Sequence, residues 1–193
     1  MKKLVIITIF VATTLIVNAQ TKFEGGLFLG MSASQIDGDA YGGYNKIGLT
    51  GGPYVNVFMK EWLAVQTGIN YITKGAHSSV KQYYMNTQLD YFEVPALANI
   101  YFRQSNISFT AGLTFDYLFR SFMDVGSGKT NTELADFNIC TYASLNYRLG
   151  ENMTAKIAYN YGLIPNRGFD RAATYEWNNT VSIIFMYKIM KNK

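Results

Sequence analysis

The chain has 193 residues and a formal net charge of +4, which falls to about +2 if Lys2 and Lys3 are removed with a leader. A balance this small argues against a nucleic-acid partner. One cysteine, Cys140, excludes an internal disulfide, and one histidine, His77, argues against a zinc or iron centre built on imidazoles. We therefore expect neither a cofactor nor a bound metal.

The N-terminus has the three parts of a secretory signal. Lys2 and Lys3 precede an apolar run from Leu4 to Val17, and Val17-Asn18-Ala19 offers a cleavage site. The alternative, a transmembrane helix, is disfavoured because the run is shorter than the ~20 residues that such a helix needs. We predict a cleaved signal peptide over residues 1–19 and one domain over residues 20–193.

Period-two alternation of apolar and polar residues predicts eight β-strands, clearest over Ile107–Tyr117. Pro53 and Pro95 lie inside two of them, and because proline lacks a ladder N–H we expect a bulge or bend at each. Most runs are about nine to twelve residues long, the length with which a tilted strand crosses a bilayer. The predicted strands cover about residues 23–33, 47–58, 63–71, 89–102, 107–117, 137–148, 153–161 and 180–189.

The connections alternate between short and long. Short turns fall at residues 59–62, 103–106 and 149–152, and long loops at 34–46, 74–88, 121–136 and 162–179. This alternation is typical of barrels in bacterial outer membranes. The predicted fold is all-β, an eight-stranded antiparallel up-and-down transmembrane β-barrel, with N- and C-termini periplasmic and four loops facing outward.

A soluble barrel of the lipocalin type is the main alternative, and there the apolar side chains would point inward around a ligand. The Gly-X-Trp start of lipocalins is missing from the first strand. The polar face instead carries small hydrogen-bonding residues, which suit a narrow wet lumen. Aromatic residues gather near strand ends, as in a membrane girdle. These features favour the membrane barrel.

Four segments in chain order carry a family resemblance: Glu24–Gly30, Ile47–Val55, Val65–Tyr71 followed by Lys74-Gly75, and the Glu-X-Pro strand Tyr91–Pro95. Together they resemble the outer-membrane β-barrel family typified by PorT of Bacteroidota, over essentially the whole mature chain. The resemblance implies an integral outer-membrane barrel. One branch of that family takes part in type IX protein secretion and gliding, but no residue here carries that role over.

The predicted register turns six charged side chains into the lumen and makes Cys140 a small lumen-facing residue. Charges in a narrow lumen should pair, because an unpaired buried charge is costly to desolvate. Such pairs would form a side-chain plug; the alternative is a gating network in a narrow channel for small solutes. The candidate lumen network comprises Glu24, Glu93, Asp116, Arg148, Lys156 and Lys188.

The outer loops carry aromatic residues that could bind a glycan or an envelope protein. Catalysis would need a nucleophile and a base, and only His77 beside Ser78 and Ser79 offers one; adjacent residues on a loop rarely hold that geometry. We therefore predict a monomeric, non-enzymatic structural or binding protein surrounded by outer-membrane lipid. A narrow channel and an accessory barrel of a secretion system remain alternatives. The recognition candidates are Tyr41, Tyr44, Tyr83, Tyr84 and Trp177.

Overall fold

A computed structural model describes residues 22–38, 42–78, 84–126, 128–130, 134–166 and 175–191. The predicted signal peptide, residues 1–19, lies outside these ranges. Within them the chain forms ten strand segments: β1 Phe23–Asp37, β2 Lys46–Lys60, β3 Leu63–Gly68, β4 Asn70–Ser78, β5 Met85–Tyr101, β6 Ile107–Asp124, β7 Lys129–Thr130, β8 Phe137–Arg148, β9 Met153–Gly162 and β10 Trp177–Lys191.

The strands form one closed antiparallel sheet. Each wall strand pairs with its neighbour in the chain, and β1 also pairs with β10, which closes the ring. The segments β3 and β4 both lie between β2 and β5 and share one place in the wall. The predicted antiparallel barrel is therefore confirmed in class.

The strand count differs from the eight that were predicted. β7 is a two-residue strand that pairs with the end of β6, inside the third predicted loop. The third predicted strand is divided at Ile69 into β3 and β4. The register is the same on both sides of the gap, so Pro53 of β2 lies beside Ile69 and Pro95 of β5 lies beside Gly68. Neither proline can donate a hydrogen bond to the ladder, so together they interrupt the strand that lies between them. The register shifts of the sheet lie elsewhere, so neither proline marks a bulge.

Several strands continue beyond their predicted ends at the long-loop rim. Residues 34–37, 74–78, 85–88 and 121–124 belong to strands β1, β4, β5 and β6, where loops were predicted. The loops are correspondingly shorter, and β4 brings Lys74 into the wall of the barrel.

The barrel is apolar outside and polar inside. Leu29, Ile157 and Ile183 are exposed by 67%, 61% and 55%, whereas Thr110 and Thr180 are fully buried. This arrangement is the inverse of a soluble barrel and is that of a barrel in a bilayer. Within the described ranges, no helix is long and apolar enough to cross a membrane.

Exposed aromatic side chains mark both edges of the apolar band. Along β8, Phe137 near one edge and Tyr147 near the other are exposed by 47% and 51%. Ten residues of strand span about 33 Å, or about 25 Å along the axis of a barrel whose strands tilt by ~40°. That height matches the ~25 Å band of outer-membrane barrels.

Candidate functional site in the polar lumen

A fully buried ion pair lies in the middle of the lumen. Lys74 Nζ of β4 is 2.6 Å from Asp116 Oδ2 of β6, and both side chains have 0% exposure. The Cys140 thiol lies 3.2 Å from the same carboxylate oxygen, and the ammonium stands 5.5 Å from the centre of the Tyr91 ring. Lys74 was predicted to lie in a loop, so the partner of Asp116 was not foreseen. Asn70 faces the lumen, and extending the alternation of β4 by two more pairs of residues would have placed Lys74 on the same face.

On the long-loop side of this ion pair, β4 approaches β1 across the lumen. Ser32 Oγ and Ser34 Oγ of β1 donate hydrogen bonds to the carbonyl oxygens of Thr73 and Gly75, at 2.8 and 3.0 Å. The strand β2 separates β1 from β4 in the wall, so these bonds pass over its inner face. Gly48 of β2 permits the approach, because a Cβ atom there would lie 2.5 Å from the Thr73 carbonyl oxygen. The long-loop half of the lumen is thereby closed.

Two apolar clusters fill the lumen on either side of the ion pair, and neither was predicted. Some members, such as Tyr54, Leu97 and Tyr142, come from inward positions of the predicted strands, whereas Ile36 and Ala76 come from predicted loops. The upper cluster contains Ile36, Ile72, Ala76, Leu89, Tyr91 and Leu118; the lower contains Tyr54, Leu97, Tyr142, Ala158, Ile184 and Met186.

Glu93 and Lys156 both line a cavity of about 20 Å³ beside the lower cluster. Glu93 accepts hydrogen bonds from Asn70 at 3.1 Å and Asn160 at 3.4 Å, and Lys156 donates one to Gln66 at 3.1 Å. Among the residues described, the two charges form no ion pair with each other. A cavity of this size holds about one water molecule.

The remaining predicted lumen charges lie near the short-turn rim. Lys188 Nζ is 3.7 Å from Glu24 Oε1, and both side chains are about one-fifth exposed. Arg148, the last residue of β8, is exposed and lines the mouth of the lumen at the same rim. The six candidates are thus divided between the middle of the barrel and its mouth.

A water-accessible cavity of about 1200 Å³, which we call the vestibule, opens at the short-turn rim. Glu24 and Lys188 stand at its mouth, and Gln66, Asn99 and Lys156 lie at its inner end. The lower apolar cluster separates the vestibule from the Lys74–Asp116 pair.

At the opposite rim the described recognition candidates occupy two places. The Tyr44 hydroxyl donates to Asn179 Oδ1 at 2.8 Å, and the Trp177 ring stacks on Tyr175 with centroids 5.8 Å apart. Partial burial raises the pKa of Tyr44, with Tyr159 and Asp37 contributing, so this phenol stays neutral and donates at pH 7. Tyr84 instead meets His77 edge to face at 5.9 Å. Tyr41 and Tyr83 lie outside the described residues.

An ion pair on the outer face was also missed, because its carboxylate was placed near a predicted strand end. Asp90 is completely buried and bonds to Arg120 at 2.5 Å, while the arginine side chain is 58% exposed. Tyr71 and Thr73 donate to the same carboxylate at 2.9 and 2.8 Å. The register shift between Asp90 and Tyr91 leaves Phe119 of β6 as an extra residue, so that Arg120 reaches the outer face and Leu118 the lumen although they are two residues apart. No group of three or more histidine, cysteine or acidic residues that could hold a metal ion occurs in the ranges given above.

Comparisons with known proteins agree with this geometry. The family model described as outer membrane protein beta-barrel domain matches residues 18–167. The attachment invasion locus protein Ail of Yersinia pestis has 12% identity and a TM-score of 0.55, covering 86% of this chain and 98% of Ail. Ail in complex with the heparin analogue sucrose octasulfate has 13% identity and a TM-score of 0.57, covering 86% and 99%. Neisserial surface protein A (NspA) has 10% identity and a TM-score of 0.55, covering 87% and 97%. No curated protein sequence matches.

Proposed function

The chain belongs to the outer membrane protein β-barrel domain family, and from this membership we propose that it is a non-conducting structural or binding protein of the bacterial envelope. We further propose that residues 1–19 are a cleaved signal, that residues 20–193 form one monomeric barrel domain, and that both termini are periplasmic. Under this orientation the vestibule opens to the periplasm and the long loops contact the medium.

The observation that supports a non-conducting barrel is the closure of its long-loop half. The Lys74–Asp116 pair is buried without exposure, and β4 bonds directly to β1 above it. Because β3 and β4 share one place and β7 only pairs with the end of β6, the ring has eight places, and a barrel of eight strands has an interior just wide enough for its side chains. A solute would have to displace both the ion pair and the strand.

Single-channel recording in a planar bilayer tests this proposal. Purified protein, shown to be folded by its heat-modifiable electrophoretic mobility, should produce no discrete current steps. The vestibule and the small cavity beyond it favour one competing function, a narrow channel gated by Glu93 and Lys156. Steps in the native protein that change in Glu93→Gln or Lys156→Gln would overturn the closed barrel in favour of that channel.

Binding at the long-loop rim is the positive half of the proposal, and we propose a sulfated glycan as the ligand class to test. Ail, which has the same fold, was solved with a heparin analogue. In this chain the stacked Tyr175 and Trp177 rings offer a face for a sugar, and Tyr175 is 54% exposed. Immobilised heparin should retain the native protein, and retention should fall in Tyr175→Ala. The matched control is Tyr147→Ala, an equally exposed tyrosine at the other rim; an equal fall in both would count against this site.

The finer assignment to the PorT-like group of Bacteroidota remains our proposal, supported by the four segments quoted from the sequence. Deleting the gene in a host with type IX secretion should leave cargo export intact if the chain belongs to a branch without that role. N-terminal sequencing of the mature protein should begin at Gln20. We also propose that the protein is not an enzyme; lipid or peptide turnover that disappears in His77→Ala would contradict this.

A further inference from the structure

The vestibule carries an excess of positive charge. Seven basic and three acidic side chains line it. Two of the acids are already engaged, Glu61 with Arg103 at 2.6 Å and Glu24 with Lys188 at 3.7 Å. A concave surface lined mainly by one sign of charge concentrates ions of the opposite sign. The cavity therefore attracts anions from the solution at the short-turn rim.

Lys156 places one of these charges at the inner end of the cavity. Its side chain comes from β9, the residue is 5% exposed, and Nζ donates to Gln66 Oε1 at 3.1 Å. No carboxylate of the described residues lies within ion-pair distance of it. An ammonium group has three donors, and a buried cation without a counter-charge is costly. An anion in the vestibule would supply both the counter-charge and an acceptor.

The amide side chains around Lys156 are oriented as donors toward the cavity. Because an ammonium group only donates, it fixes Gln66 with its oxygen toward Lys156. That oxygen also accepts from Asn99 Nδ2 at 3.1 Å, and Asn99 Nδ2 donates to Asn56 Oδ1 at 2.9 Å. Thr110 Oγ1 donates to Asn99 Oδ1 at 2.5 Å, which agrees with this orientation of the Asn99 amide.

In this network the amide oxygen atoms accept hydrogen bonds, whereas two of the amide nitrogen atoms donate none to the residues described. Gln66 Nε2 and Asn56 Nδ2 have no hydrogen-bond partner within the described part of the chain, and neither is among its fully buried unpartnered atoms. Both residues line the vestibule, so the free donors accompany the Lys156 ammonium. Donors without competing acceptors are the arrangement that an oxyanion requires.

We infer that the vestibule is a binding site for a small soluble oxyanion, a phosphate- or carboxylate-bearing metabolite, with Lys156, Gln66 and Asn56 as its inner contacts. The volume of about 1200 Å³ admits a molecule well above the size of inorganic phosphate. The site is separate from the long-loop rim and does not depend on what the loops bind.

Isothermal titration with inorganic pyrophosphate tests the inference. The full-length mature protein is used in a neutral detergent, so that no lipid phosphate competes. Native protein should bind pyrophosphate, and Lys156→Met should weaken binding by roughly tenfold or more, the loss expected for one charge-assisted hydrogen bond. Lys129→Gln removes the same charge from β7 at the opposite rim, and its affinity should equal that of the native protein.

A second measurement keeps the inference testable if Lys156→Met does not fold. Side-chain amide resonances of Gln66 and Asn56 should shift on adding pyrophosphate to isotopically labelled native protein, while that of Asn179 at the long-loop rim should not. Equal weakening in both lysine variants, absence of heat in the native protein, or resonance shifts confined to the long-loop rim would each overturn the site.

Discussion

Removing the buried ammonium of Lys74 is the sharpest perturbation that the fold offers. Lys74→Met keeps an unbranched side chain that is one atom shorter, and it leaves Asp116 without its partner at 2.6 Å, in a place with 0% exposure. Breaking a buried ion pair from one side costs about 3–5 kcal/mol. The carboxylate can escape by taking up a proton, which costs about 4 kcal/mol at pH 7 for an ordinary aspartic acid. We therefore expect a loss of about 3–4 kcal/mol in the free energy of unfolding.

The loss can be measured by urea unfolding of the protein in phospholipid vesicles, followed by tryptophan fluorescence. With a denaturant slope of about 2 kcal/mol/M, the midpoint should fall by about 1.5–2 M. Arg103→Gln is the matched control, because it breaks a pair of the same length whose side chains are 82% and 78% exposed. That variant should lose less than about 1 kcal/mol.

The double variant Lys74→Met/Asp116→Asn separates the charge from the packing. With both charges gone, no unpaired ion remains, so the double variant should be more stable than Lys74→Met alone. A Lys74→Met protein within about 1 kcal/mol of the native one, or a double variant less stable than the single, would contradict the cost assigned to an unpaired carboxylate in the lumen.

The approach of β4 to β2 predicts that Gly48→Ala lowers the free energy of unfolding by about 1–3 kcal/mol, because the new Cβ meets a backbone carbonyl. At Gly150 a Cβ would meet nothing within 4 Å, so Gly150→Ala should unfold at the same urea concentration as the native protein. Equal losses of stability in the two variants would refute the contact between Gly48 and the Thr73 carbonyl. The Cys140 thiol is fully buried, so a maleimide reagent should label it only in urea-unfolded protein. Rapid labelling of the folded barrel would mean that the lumen around the ion pair is open.

The alternation of side chains was enough to predict the walls of the barrel from the sequence. β8 occupies Phe137–Arg148 as predicted, and β6 begins at Ile107 as predicted. A strand with one face toward lipid and one toward the lumen must alternate apolar and polar residues, so the strand can be recognised in a single sequence. The break at Ile69 could have been read from Pro53 and Pro95 together, but only once the register had placed them on either side of one strand.

The interior could not be predicted to the same depth. Lys74 and Asp90 were assigned to a loop and near a strand end, because their surroundings are polar and strand ends at the rim lose the alternation. Their partners Asp116 and Arg120 are 42 and 30 residues away in the chain, and no local pattern links such distant positions. The approach of β4 to β1 depends on Gly48, whose lack of a side chain carries no signal of the strand that approaches it.

The closed middle of the barrel has a consequence for the two proposed binding surfaces, since ligands at opposite rims can influence each other only through a path that has two arrangements. Between Trp177 at the long-loop rim and Lys156 at the inner end of the vestibule lie the apolar clusters and the Lys74–Asp116 pair. Saturating heparin should therefore leave the affinity for pyrophosphate unchanged, and Tyr175→Ala should not alter it. Lys74→Met loosens the closure and is the variant in which coupling should first appear. An effect of heparin on the affinity for pyrophosphate in the native protein would show that the lumen has a second, open arrangement. The narrow channel would then explain this barrel better than the closed one.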